Sequence, residues 1–140
     1  MSLGKSKIFV TGSACFVGLV DRLLDDGHVV AGYDNFTAGF ERCLEKARFT
    51  LKFSMTCGDL LELPTLTKAT AGSDFVFQLA ANADVRFGFE HALKELEQNT
   101  IATFHVLDAM LVNGIRKIVF PSPWSIYGEA DIFPDKKNAK

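Results

Sequence analysis

Apolar and polar positions along this chain alternate between a strand-like and a helix-like period. Residues 7–11 (KIFVT) are a short β-branched and aromatic run after a polar start, which predicts a buried strand. Gly12 ends it. Phe16, Leu19, Val20, Leu23 and Leu24 then recur at helical spacing, and Asp25-Asp26-Gly27 closes that helix with Gly27 as its C′ residue. Residues 29–33 (VVAGY) predict a second strand ended by Asp34-Asn35, and residues 40–48 a short helix. Residues 51–56 (LKFSMT) alternate as a third strand that runs into Cys57-Gly58-Asp59, and a short helix follows Pro64. Residues 75–79 (FVFQL) predict a fourth strand ending in Ala80-Ala81. The longest helical pattern covers 92–113, with Leu93, Leu96, Ile101, Phe104, Leu107, Leu111 and Val112 near one stripe and Gly114 as its stop. Residues 117–120 (KIVF) predict a fifth strand.

Strands that alternate with helices imply an α/β fold, with helices on both faces of a parallel sheet. Right-handed crossovers and a glycine turn after the first strand favour a Rossmann-like doubly wound sheet of about five strands in the order 3-2-1-4-5. No internal repeat or linker interrupts it. Residues 1–128 are expected to form one domain, and the polar, Lys-rich residues 129–140 a disordered tail.

Composition narrows the function without naming it. The chain has 140 residues, of which 48% are hydrophobic, enough for a core of its own. A formal charge of −2 leaves no electrostatic footprint for nucleic acid or an anionic membrane. No apolar run reaches the ~18 residues of a membrane span, and Met1–Ser6 is too short and polar for a signal peptide. Cys15, Cys43 and Cys57 are odd in number and form no Cys-x-x-Cys, so neither a disulfide framework nor a zinc site is expected, and the cytoplasm is the expected compartment.

Chemistry concentrates at Gly12-Ser13-Ala14-Cys15-Phe16-Val17-Gly18, between the first strand and first helix. A dinucleotide pyrophosphate binds at such a turn because the helix start offers free N–H groups and partial positive charge, and glycines let the backbone come close. Asp34 ends the second strand 22 residues after Gly12, where a carboxylate accepts from adenosine ribose hydroxyls and favours NAD over NADP. The alternative is a turn that uses glycine for geometry alone.

These residues resemble the extended short-chain dehydrogenase/reductase family, especially its NAD-dependent nucleotide-sugar epimerases and dehydratases. The likeness begins in KIFVTGSACFVG, where the family has Thr-Gly-Gly-x-Gly-Phe-Ile-Gly. It continues in GYDNFTAG (32–39), CGDL (57–60), FQLAANADVR (77–86), EQNTIATFHVLDAM (97–110) and KIVFPSPWSIYG (117–128), and so covers nearly the whole chain. The resemblance implies cofactor roles by position. Gly12 and Gly18 match the outer glycines of the phosphate turn, and the amides of Phe16 and Val17 face the pyrophosphate. Asp34 and Asn35 match the adenosine-ribose pair; Asp59 and Leu60 match the adenine contacts, with the acid near the exocyclic amine. Leu79, Ala80 and Ala81 border the cofactor's ribose and pyrophosphate, Asn99 is the helix asparagine near the active site, and Ser122 lies in the segment beside the nicotinamide.

The chain departs from the family at four places. Cys15 replaces the middle glycine, so NAD is expected to bind more weakly. A cysteine at a helix start could also have a lowered pKa and be reactive. Two residues are missing after Gly18, so the first helical turn must pack differently. Pro123 stands where the family has the Ser or Thr that bonds the sugar hydroxyl, beside a foreign Trp124; Ser122 or Ser125 could substitute only if the backbone shifts. The family's base is a Tyr-x-x-x-Lys pair, in which lysine lowers the tyrosine pKa. Tyr33 is followed at +4 by Thr37 and Tyr127 by Asp131, so the pair is absent, and the chain is expected to stop before the catalytic helix and the substrate domain.

Other candidates are weaker. His28, His91 and His105 lack metal-ligand spacing, and His105 reads as a core or interface histidine. Asp84-Val85-Arg86 matches a segment that faces the substrate cleft, or is a surface charge pair. Through the 92–113 helix the family dimerises, which implies a homo-oligomer or aggregation here. Three readings stay open: an NAD-binding fragment of an epimerase-like enzyme, inactive alone, whose nucleotide-sugar substrate belongs to the intact enzyme; a non-catalytic nucleotide-binding or interaction module; and a redox protein using Cys15.

Overall fold

The computed structural model describes residues 4–82 and 90–122. Five parallel strands form one sheet in the order β3-β2-β1-β4-β5, the expected doubly wound arrangement. They are β1 (Lys7–Thr11), β2 (Val29–Asp34), β3 (Phe53–Cys57), β4 (Phe75–Gln78) and β5 (Ile118–Val119). β1 is central: Phe9 is paired in register with Ala31 of β2 and Val76 of β4. Being covered on both faces, β1 needs apolar residues at consecutive positions, which explains its unbroken IFV run. Phe9 joins Val76, Leu66, Val106 and Met110 in one core. Ile8 and Val10 join Val30, Val20, Leu23 and Leu44 in the other.

Helix α1 (Val17–Asp25) lies in the second of these cores, as does α2 (Glu45–Arg48), which follows a 3-10 turn at Glu41–Leu44. Helix α3 (Leu63–Thr70) packs on the other face. It starts before Pro64, not after it, because proline is accommodated in a first turn where its missing N–H has no helical partner. α1 closes as expected: Gly27, at φ +90°, donates to the Leu24 carbonyl and His28 to that of Leu23, a Schellman ending.

The stretch expected as one helix over 92–113 is α4 (Ala92–Glu95), a π-helical turn (Leu96–Ile101) and α5 (Ala102–Val112). The Thr103 hydroxyl donates to the Asn99 carbonyl at 2.6 Å, adding a side-chain partner inside the widened turn. Gly114 terminates α5 at φ +69°, with Ile115 donating to Met110. Its core face is Ala102, Val106, Ala109 and Met110, whereas the apolar stripe read from the sequence is turned out: Leu93, Leu96, Phe104, Leu107, Leu111 and Val112 are exposed. β3 starts later than expected, and β5 is shorter than expected at both ends. A turn in which Phe53 donates to Thr50 leaves Leu51 in solvent. Among the described residues no helix is long and apolar enough to cross a membrane.

Candidate functional site

The carboxyl ends of β1, β2, β3 and β4 open onto one cleft of about 80 Å³, the place where parallel sheets receive ligands. Gly12, Cys15, Asp34, Asn35, Asp59, Leu60, Ala80 and Ala81 all line it. Gly12 is required there twice over. Its φ is +68°, and a Cβ would lie 2.9 Å from the Ala80 nitrogen. The end of β4 can therefore sit against the turn only if residue 12 has no side chain.

Asp34 ties two loops together. One carboxylate oxygen accepts from the Ala14 N–H at 2.9 Å and the other from the Phe36 N–H at 2.8 Å. The second bond holds Phe36 at φ +58°, a conformation unfavourable to a side chain as bulky as phenylalanine. Each oxygen keeps a lone pair free, so Asp34 can still accept from a ligand. Asn35 donates to Asp59 across the cleft at 3.1 Å, and Asp59 also accepts from the Leu61 N–H at 2.9 Å.

Ser13, beside Gly12 in the turn, is buried, and its hydroxyl lies 3.4 Å from the Met55 sulfur. Space for it comes from β2: a Cβ on Gly32 would stand 2.7 Å from the Ser13 hydroxyl and 2.9 Å from Met55. Behind the turn, the buried Thr11 hydroxyl donates to Gln78 at 2.7 Å and accepts from the Leu79 and Ala80 N–H groups.

Cys15 is exposed and lines the cleft. Partial burial, then the Asp34 carboxylate, then Cys43 push its thiol pKa up, the opposite direction from the lowered pKa that a reactive thiolate needs. Tyr33 is no base either. It is buried, its hydroxyl donates to the Asp59 carbonyl at 3.0 Å, and burial with the nearby acids Glu62 and Asp59 raises its pKa to about 12.

Phe16, Val17, Gly18, Leu79 and Asn99 do not line this cleft. Phe16 sits at the start of α1, where no side chain caps the first turn and the Leu19 and Val20 N–H groups donate to the Phe16 carbonyl. A Cβ on Gly18 would meet nothing within 4 Å, so the turn's last glycine is under no steric demand. Leu79 packs into the core beneath. Asn99 clamps the backbone of Asn82 at both ends, accepting from its N–H at 2.8 Å and donating to its carbonyl at 3.2 Å, and it also bonds Glu95. Ser122 is exposed and outside the cleft. His105 is half-buried with Nδ1 2.9 Å from the Leu60 carbonyl, a structural contact that needs the Nδ1-protonated tautomer. Asp84-Val85-Arg86, Pro123, Trp124, Ser125, Tyr127 and the tail lie outside the described residues. No cluster of three or more His, Cys, Asp or Glu side chains suited to a metal occurs among the described residues.

The sequence reading missed Tyr33, Thr37, Ala38, Gly58 and Gln98, which complete the lining. Most adjoin a residue it had chosen, but none carries a chemical signal of its own. Gly58 is needed because a side chain there would collide with the Tyr33 hydroxyl.

Comparison with known proteins bears on the family and the fold. The model of the "NAD dependent epimerase/dehydratase family" matches residues 8–140. UDP-glucose 4-epimerase of Mycolicibacterium smegmatis is 32% identical over 94% of this chain and 44% of the relative. The structure of UDP-N-acetylglucosamine 4-epimerase from Methanobrevibacter ruminantium, in complex with UDP-N-acetylmuramic acid, superposes with a TM-score of 0.82 at 30% identity, over 94% of this chain and 42% of that one. UDP-glucose 4-epimerase from Bifidobacterium longum, in complex with NAD+ and UDP, gives 0.82 at 22% identity over 92% and 40%, a likeness of fold. The chain thus spans under half the length of these relatives.

Proposed function

Because this chain belongs to the NAD dependent epimerase/dehydratase family, we propose that it is the NAD-binding portion of a nucleotide-sugar epimerase or dehydratase, without turnover of its own. What carries the reading is the convergence of the Gly12 turn, Asp34, Asp59 and Ala80 around one cleft at the carboxyl ends of the strands. In it, Asp34 accepts the adenosine ribose hydroxyls through its remaining lone pairs. Asp59 faces the adenine, and the uncapped first turn of α1 offers N–H groups to the pyrophosphate. The fit is good at the adenosine end and poorer at the pyrophosphate, where the exposed Cys15 side chain stands in the cleft. When bound, NAD supplies a hydride acceptor and donor for a sugar carbon. The chain's own residues bind and orient it. No Tyr-x-x-x-Lys pair is present to move the sugar's proton, and the sugar-binding part is proposed to lie in the remainder of the intact enzyme.

The test is calorimetric titration of NAD into the purified chain and into Cys15→Gly. Saturable binding that tightens about tenfold in the glycine variant is the expected result, as removal of one steric obstacle to phosphate approach would give. No heat in either protein would retire the cofactor reading. A second reading, a non-catalytic module that kept the fold, is favoured by Cys15 in the cleft and by the slack around Gly18; a Tyr-x-x-x-Lys encoded further along the source gene would count against it. We also propose self-association through the outward apolar residues of α4 and α5, Leu93, Phe104, Leu107 and Leu111 among them.

A further inference from the structure

We propose that Asn35 selects the base bound in this cleft without touching it, by holding the Asp59 carboxylate as an acceptor for an exocyclic amine. The inference rests on the adenosine reading of the cleft and assigns Asn35 a different place in it from the ribose contact that the resemblance implied.

Asn35 is already occupied on both sides of its amide. Its Nδ2 donates to Asp59 at 3.1 Å, and its Oδ1 accepts from the Thr37 N–H at 3.1 Å and the Thr37 hydroxyl at 2.8 Å. The side chain is therefore a strut from the loop after β2 to the loop after β3, with its Oδ1 taken up by Thr37 and one N–H left over. Asp59 in turn has one oxygen on the Leu61 N–H and the other on Asn35. With both bonds made, the plane of the carboxylate is set, and its free lone pairs point in fixed directions. With Asn35 gone, one anchor remains and the group can rotate about its last torsion, which is soft for a carboxylate. An ionised carboxylate offers acceptors only. Adenine presents a 6-amino donor to it, whereas hypoxanthine presents a 6-oxo acceptor, which the carboxylate repels. The selectivity therefore depends on how firmly Asp59 is aimed, and Asn35 is its positioning residue.

The experiment titrates two probes, NAD and nicotinamide hypoxanthine dinucleotide, into the full chain and three variants: Asn35→Ser, Asp59→Asn and the double variant. Thermal melts run alongside. Serine can still accept from the Thr37 N–H but is too short to reach Asp59. The wild-type chain is expected to prefer the adenine dinucleotide on the order of tenfold, the discrimination one hydrogen bond to a charged group provides. Asn35→Ser brings that ratio toward one while its melting temperature stays near the wild type. Asp59→Asn also collapses the ratio, and the double variant adds nothing further, the non-additivity expected of residues acting through one another. Asn35→Leu serves the same comparison if the serine variant does not fold. Equal weakening of both dinucleotides in Asn35→Ser, or an unchanged ratio, overturns the proposal and leaves the cofactor reading standing. Absence of binding by either dinucleotide to the wild-type chain overturns both.

Discussion

Asp34 serves the fold before it serves any ligand. Its carboxylate accepts backbone N–H groups from the turn after β1 and from its own loop. An asparagine in its place must turn an NH2 group toward one of them. Asp34→Asn should lose about 1–3 kcal/mol of stability, measured by denaturant unfolding with no nucleotide present; a variant as stable as the wild type would make Asp34 a ligand residue only. The spacing of Asp34 from Gly12 disclosed its place at the cleft. Its bond to Ala14 was not legible, because it depends on how closely two loops approach in space. Tyr33 gives a second test at this scale. Burial, then Glu62 and Asp59, push its pKa in the folded chain up to about 12 from the ordinary tyrosine value of about 10, so the unfolded chain releases the proton first as pH rises. The contribution is complete below pH 10 and is lost between 10 and 12. Melting temperatures of wild type and Tyr33→Phe, followed over that interval, should show the steeper decline in the wild type; parallel curves would contradict the shift.

The helical stretch from residue 92 to 112 shows what periodicity can and cannot say about an element. Its helical character and its stop at Gly114 were legible, since apolar spacing and a glycine in the left-handed region are local properties. The π-helical turn was not: a widened turn changes the angular phase of everything after it, and no single residue announces it. The inward face was hidden for a related reason. Alanines at 102 and 109 let α5 settle into the same core as α3, and the larger side chains, which dominate any hydropathy pattern, point out. Leu107, 48% exposed, and Phe104, 63% exposed, stand on that outer face. Replacing both by glutamate should leave the melting temperature within a few degrees of the wild type, because neither is core, and should shift the protein to a smaller species in sedimentation velocity. Unchanged sedimentation would dismiss this face as the site of self-association.

For the molecule as a whole, the strand order β3-β2-β1-β4-β5 is legible in the alternation of elements and the position of the first glycine turn. The cleft is legible as well, since parallel topology brings the ends of β1 to β4 to one side. What sequence could not supply was the network that sets those ends at fixed spacing. Thr11 and Gln78 are polar residues in apolar strands, and their partnership across the β1–β4 seam appears only when the strands are paired. Cys15 was legible as a departure from the family's turn, whereas only the structure shows that it lines the cleft and that its neighbour Ser13 is buried against Met55.

Ser13 is housed because Gly32 has no side chain, and the two positions therefore share one inheritance. A lineage that acquires a β-branched residue at 32 should carry glycine at 13, and one that keeps serine at 13 should be confined to glycine at 32. In the laboratory the same dependence is an epistatic pair. Gly32→Val alone must displace Ser13 and Met55 and should destabilise the protein by about 1–3 kcal/mol, whereas Gly32→Val combined with Ser13→Gly should recover the part of that loss due to Ser13 in denaturant unfolding. Additive effects in the pair would mean that the two sites evolve independently.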